Sequence, residues 1–224
     1  MSKRRNKKEK KLLKKFLFFS VIMLFLLIVY GRLYSTCSKS GTALGLFGKL
    51  FPTQKIEKPE VTKMLLSKNE FSRPGKKMRW VNGIVVHYTA NPGSTAKNNR
   101  DYFEGLKDSK ETSASSHFVI GLEGEIIQCI PLNEIAYASN QRNKDTISIE
   151  CCHLDRSGKF NKKTYHSLVK LVAWLSGKYN LKQDNIIRHY DVTGKICPKY
   201  FVDHEEKWNQ FKDDVFAYID KYSK

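Results

Sequence analysis

The 224-residue chain predicts a mixed α/β fold: a central β-sheet with packed helices, preceded by one N-terminal transmembrane helix and a linker. Three observations predict it. Gly83–Tyr88 and Thr146–Cys152 alternate in side-chain character and are rich in β-branched residues, as strands are. Lys162–Tyr179 and Asp203–Tyr222 carry apolar residues at helical spacing. Phe16–Tyr30 has one polar residue, Ser20, and follows a strongly basic start.

Residues 1–15 hold nine Lys/Arg and one Glu, which places +8 of the formal net charge of +18 in this tail. The apolar run reaches Tyr34 if Arg32 snorkels, approaching the ~20 residues that a membrane span needs. Residues 16–34 are therefore read as an uncleaved signal-anchor. The positive flank keeps residues 1–15 in the cytoplasm and sends the rest outward. A cleaved signal peptide, giving a secreted chain, is the alternative. Residues 35–77 mix Ser, Thr, Gly, Pro and Lys with short apolar islands and sustain no period. They read as a linker, partly ordered near Val61–Phe71, ahead of a domain at 78–222. The rest of the positive charge is dispersed with no aromatic-interleaved basic motif, which argues against nucleic acid as a partner.

Within the domain, Gly83–Tyr88 puts Ile84 and Val86 on one face and Val85 and His87 on the other. Thr89–Ser94 is a turn and Lys97–Leu106 a short helix. A Ser-rich loop, 112–116, precedes a hairpin of His117–Ile120 and Glu125–Ile130, whose turn carries Gly121 and Gly124. Asn133–Asn143 is a polar loop with Tyr137 and Asn140. In Thr146–Cys152, Ile147, Ile149 and Cys151 face one way and Ser148, Glu150 and Cys152 the other. The Lys162–Tyr179 helix turns Leu168, Leu171, Val172 and Leu175 to the core. Asn185–His189 is a short strand, and Asp203–Tyr222 the last helix.

The run from Arg188 to Pro198 places His189, Lys195 and Cys197 within ten residues. His and Cys are the ligand types Zn²⁺ takes, and His87 at the end of another strand is the best third ligand. Three protein ligands leave one tetrahedral position open, the catalytic pattern. Glu150 is the best-placed general base, and Lys195 suits stabilisation of an oxyanion. These roles together describe amide hydrolysis. The five cysteines are odd in number and include an adjacent pair, so they form no disulfide framework. His117 reads as a core histidine, a partner of a ligand or a substrate contact. His153 lies beyond a strand end, before a turn, and is expected to be exposed. A zinc peptidase of the His-Glu-x-x-His kind is excluded, since that motif is absent.

Five blocks, Ile84–Thr89, Ser116–Ile120, Gly124–Gln128, Thr146–Glu150 and Arg188–Pro198, resemble the zinc-dependent N-acetylmuramoyl-L-alanine amidases of type 2. That family shares its fold with phage T7 lysozyme and the peptidoglycan recognition proteins, and the resemblance spans about residues 78–220. It implies cleavage of the amide between N-acetylmuramic acid and L-alanine in peptidoglycan, with one Zn²⁺ held at the positions of His87, His189 and Cys197. It implies catalytic roles for Glu150 and Lys195; taken with the signal-anchor, the expected location is a bacterial cell membrane with the domain outside. A non-catalytic peptidoglycan-binding module on the same fold is the alternative. The sequence departs from the family where a T7-type tyrosine falls on Ser116 and where Tyr137-Ala138 replaces Trp-His. Ser116, His117, Tyr137 and Asn140 are therefore the candidates for ligand support or substrate contact.

Overall fold

A computed structural model describes residues 55–223. The basic tail at 1–15, the signal-anchor at 16–34 and the linker up to residue 54 lie outside the described residues. Among the described residues no helix is long and apolar enough to cross a membrane.

The elements run β1 (Thr62–Lys63), β2 (Gly83–Tyr88), α1 (Ala96–Ser109), β3 (Phe118–Ile120), β4 (Ile126–Gln128), β5 (Thr146–Cys151), α2 (Lys162–Tyr179), β6 (Ile186–Arg188), α3 (His189–Thr193), α4 (Lys199–Asp203) and α5 (Glu205–Tyr222). They build a six-stranded sheet in the order β1-β4-β3-β5-β2-β6. Only the β3–β4 hairpin is antiparallel, and the other pairings are parallel. Parallel strands need cover on both faces, and the helices supply it. Ile84, Val86, Ile147 and Ile149 pack with Leu168, Leu171 and Leu175 of α2 and Phe211 and Val215 of α5. On the opposite face, Val119 and Ile127 pack with Phe103 and Leu106 of α1.

Local sequence sets the helix limits. Thr95 caps α1 by accepting from the Asn98 N–H, and the Asn98 side chain returns a bond to the Thr95 N–H. Asn161 accepts from the Thr164 N–H at the start of α2, and Asn180 ends it in the left-handed conformation. Gly83 sits where a Cβ would lie 2.8 Å from the Asn185 carbonyl oxygen. Glycine there lets β2 and β6 approach.

The expected strand at 185–189 is shorter. Gln183–Asn185 is a single 3-10 turn, the strand is Ile186–Arg188, and His189 opens helix α3. The reason is local: the Asp191 carboxylate accepts from the Arg188 N–H, which caps a new helical turn. The last helix begins at Glu205 instead of Asp203, because Lys199–Asp203 forms its own turn, α4.

Residues 55–77, read above as the end of a linker, pack onto the sheet. Ile56 and Leu66 are buried. The Met64 and Leu66 N–H groups donate to the carbonyls of Gln128 and Cys129, and β1 pairs with β4. Arg73 binds the Glu134 carboxylate through two nitrogens and also donates to the Leu66 carbonyl. Backbone bonds to an edge strand and isolated apolar anchors carry no periodicity, so the stretch has the composition of a tether. Leu66→Ala is expected to lower stability by about 2–5 kcal/mol in denaturant unfolding. An unchanged midpoint would mean that this segment does not belong to the folded unit.

Candidate metal and catalytic centre

Three neighbouring parallel strands, β5, β2 and β6, end at one edge of the sheet. Their register pairs His87 with Glu150 and Val86 with Arg188. Glu150, His87 and His189, the residue after Arg188, therefore arrive in one row. The C-terminal ends of parallel strands are where α/β sheets place their sites. The loop after α3 brings Cys197 back to the row, and its carbonyl accepts from the Tyr190 N–H at 2.9 Å.

The distances are short. His87 Nδ1 lies 3.8 Å from Cys197 Sγ and 4.0 Å from Glu150 Oε1. The His87 and His189 rings are 4.7 Å apart at their centroids. One ligand atom from each of His87, His189 and Cys197 falls within 4.8 Å of the other two. A tetrahedral Zn²⁺ site with N and S ligands needs donor atoms about 3.3–3.8 Å apart. The donor set fits that ion, and the His87–Cys197 distance of 3.8 Å lies at the edge of that range.

Electrostatics agree. Burial first, and then the charges of His189 and Lys195, hold the His87 imidazole well below the usual histidine range, so it is neutral with a free lone pair. Burial and Lys195 lower His189 in the same way. Burial pushes Glu150 up to about 8, although Lys195 opposes it. Burial followed by the charge of Glu150 pushes the Cys197 thiol up to about 12. Two buried acids thus sit together with burial outweighing the charge of Lys195, an environment that a bound cation would reverse. Glu150 Oε2 is buried without a partner.

His87, Glu150, His189, Lys195 and Cys197 line a cleft of about 410 Å³ together with Tyr88, Thr89, Ser113–Ser115, Tyr137, Asn140 and Asn143. Lys195 is exposed and forms no ion pair among the described residues. Tyr137 and Asn140 reach the cleft, but Ser116 and His117 do not line it. The Ser116 hydroxyl donates to the Phe118 carbonyl. His117 accepts at Nδ1 from the Ser148 N–H at 3.1 Å and donates from Nε2 to the Glu134 carbonyl at 2.9 Å. His117 is buried with both ring nitrogens bonded, as a core histidine is. His153, expected to be exposed, is buried: it stacks on Tyr88 and its Nδ1 bonds the Asp155 carbonyl. The following turn folds back over it.

The sequence of residues 76–200 matches the family model described as N-acetylmuramoyl-L-alanine amidase. The chain belongs to the N-acetylmuramoyl-L-alanine amidase family. It is 36% identical over 170 residues to the N-acetylmuramoyl-L-alanine amidase CwlL of Bacillus licheniformis, covering 70% of this chain and 46% of that one. It is 35% identical over 170 residues to the amidase BlyA of Bacillus subtilis (strain 168), covering 66% and 45%. The chain therefore spans about half the length of these curated relatives. Among solved structures, the catalytic domain of XlyA superposes with a TM-score of 0.60 at 28% identity, covering 70% of this chain and 99% of that domain. The PlyG catalytic domain gives 0.61 at 28% identity, covering 71% and 94%. The region matched by the family model, residues 76–200, contains the whole row of Glu150, His87, His189 and Cys197.

Two features of the centre had no sequence signal. Ser139 contacts His87, and Thr89 places a buried, unpartnered hydroxyl in a residue that lines the cleft. Ser139 lies outside any motif or periodic pattern, and Thr89 closes the Ile84–Thr89 block with nothing in its residue type to mark a role. His117→Ala is expected to cost about 2–4 kcal/mol of stability, because it strands the Glu134 carbonyl and the Ser148 N–H. Urea unfolding measures it. A variant as stable as the parent but deficient in turnover would return His117 to the site.

Proposed function

We propose that the chain hydrolyses the amide joining N-acetylmuramic acid to L-alanine in peptidoglycan, with Zn²⁺ held by His87 Nδ1, His189 and Cys197. The observation that carries this is the convergence of two neutral imidazoles, one thiol and one buried carboxylate at the end of three parallel strands. Family membership supplies the reaction class. Zn²⁺ bound there supplies a Lewis acid for the scissile carbonyl and lowers the pKa of attacking water.

The remaining steps belong to the chain. Glu150, whose Oε1 lies 4.0 Å from His87 Nδ1, takes the proton of water as it attacks the carbonyl carbon. It then delivers that proton to the departing nitrogen. The C–N bond breaks, leaving a lactyl carboxylate and a free L-alanine amine. Lys195, at the mouth of the cleft, offers its ammonium to the oxygen that becomes negative. Tyr137 and Asn140 contact the muramyl or peptide arm from the cleft wall.

We also propose that residues 16–34 anchor the chain in a bacterial cell membrane with the domain outside. The support is the apolar run Phe16–Tyr30 behind nine basic residues. Mature protein released from cells and beginning near residue 38 would contradict the anchor.

Purified peptidoglycan incubated with the full-length chain should gain amino-terminal alanine, detected by mass spectrometry. Chelator should stop this and added zinc restore it. Glu150→Gln should bind zinc normally and lose turnover roughly 10²–10⁴-fold; full activity in that variant removes Glu150 as the base. Lys195→Ala should lower kcat by about 10² with little change in KM. A change in KM alone would make it a binding residue.

A further inference from the structure

We propose that Ser139 is a positioning residue that fixes the tautomer of His87, and that the loop at 137–144 also braces the helix that carries His189. His87 has two distinct environments at its two nitrogens. Nδ1 faces Cys197 Sγ at 3.8 Å and Glu150 Oε1 at 4.0 Å. Nε2 lies 3.2 Å from Ser139 Oγ. Both residues are buried, at 2% and 1% exposure, so the Ser139 contact is shielded from water. A neutral imidazole carries one proton, and a metal ligand must present a lone pair. The arrangement that satisfies both has Nε2–H donating to Ser139 Oγ and Nδ1 facing the cluster unprotonated. The other tautomer turns a proton toward the sulfur and removes a donor from the set.

Ser139 is itself held in place. The backbone N–H groups of Ala138 and Ser139 both donate to Asn143 Oδ1, at 3.0 and 2.6 Å. Asn143 lies in the 3-10 turn Asn140–Lys144. From the same turn, Gln141 donates to the Val192 carbonyl in α3, the helix that His189 opens. One short loop therefore bonds one histidine directly and braces the helix that carries the other. Such partners of metal-binding histidines set ring orientation, and their loss typically weakens metal binding about 10–100-fold.

The inference rests on zinc binding at His87 and not on the substrate, so metal affinity tests it without an activity assay. The full-length chain, stripped of metal, is titrated with zinc against a chromophoric chelator. Ser139→Ala should bind zinc about 10–100-fold more weakly while its metal-free unfolding midpoint matches the parent. Ser139→Thr, which keeps the oxygen, should restore most of the affinity. Parental affinity in Ser139→Ala overturns the assignment. Equal losses in the Ala and Thr variants also overturn it, since the hydroxyl would then not be the acting group. A fall in the metal-free midpoint large enough to account for the lost affinity reduces Ser139 to a structural residue and overturns it too. A parent chain that binds no zinc overturns the metal reading as well, which separates the two failures.

Discussion

The parallel register of β5, β2 and β6 is the constraint on which the centre depends. Side chains on one face of adjacent parallel strands stand side by side, so pairing His87 with Glu150 and Val86 with Arg188 fixes the spacing of the row. A slip of one residue in β2 would turn His87 into the α2/α5 core and bring Val86 or Tyr88 to the site. The buried apolar faces prevent that slip, because Ile84, Val86, Ile147 and Ile149 have no exposed surface. The hydrophobic core thus sets the geometry of the candidate site as well as stability. Arg188 extends the constraint beyond the sheet: it pairs with Asp191 and Glu205 and donates to the Phe201 carbonyl, tying α3, α4 and α5 to the strand end that presents His189.

The second constraint is electrostatic. Glu150 and Cys197 are buried acids whose own burial favours the protonated form. His87 and His189 are buried bases driven toward the neutral form. Lys195 acts on all four in the same sense, lowering each one. Without metal the pocket is close to charge-neutral apart from Lys195. A dication held there would favour the ionised form of both acids. The other described cysteines differ from Cys197 in their surroundings: Cys129, Cys151 and Cys152 are also free and buried, but they belong to the two hydrophobic clusters. They fill volume as small apolar residues.

Much of this was legible in the sequence. Alternation in Gly83–Tyr88 and Thr146–Cys151 assigns His87 and Glu150 to the face away from Ile84 and Ile147, and the structure has them there. A period of two survives tertiary packing because one face must be buried. The rest depends on contacts distant in sequence. Ser139 and His87 are 52 positions apart, and no local pattern links them. Ser116 and His117 fall inside a block of family resemblance, yet both turn inward to bind backbone and Ser148. The turn after Cys152 looks solvated by composition, but it folds back so that His153 stacks on Tyr88. The segment at 55–77 has the composition of a tether and is fastened by backbone bonds to the rim of the sheet.

The central claim is that His87, His189 and Cys197 bind one zinc ion as two nitrogens and one sulfur. X-ray absorption at the zinc edge of the full-length protein tests it most directly. The expected spectrum has one sulfur at ~2.3 Å and two imidazole nitrogens at ~2.0–2.1 Å, with one further light atom. A first shell of light atoms alone, with no sulfur contribution, would contradict the account.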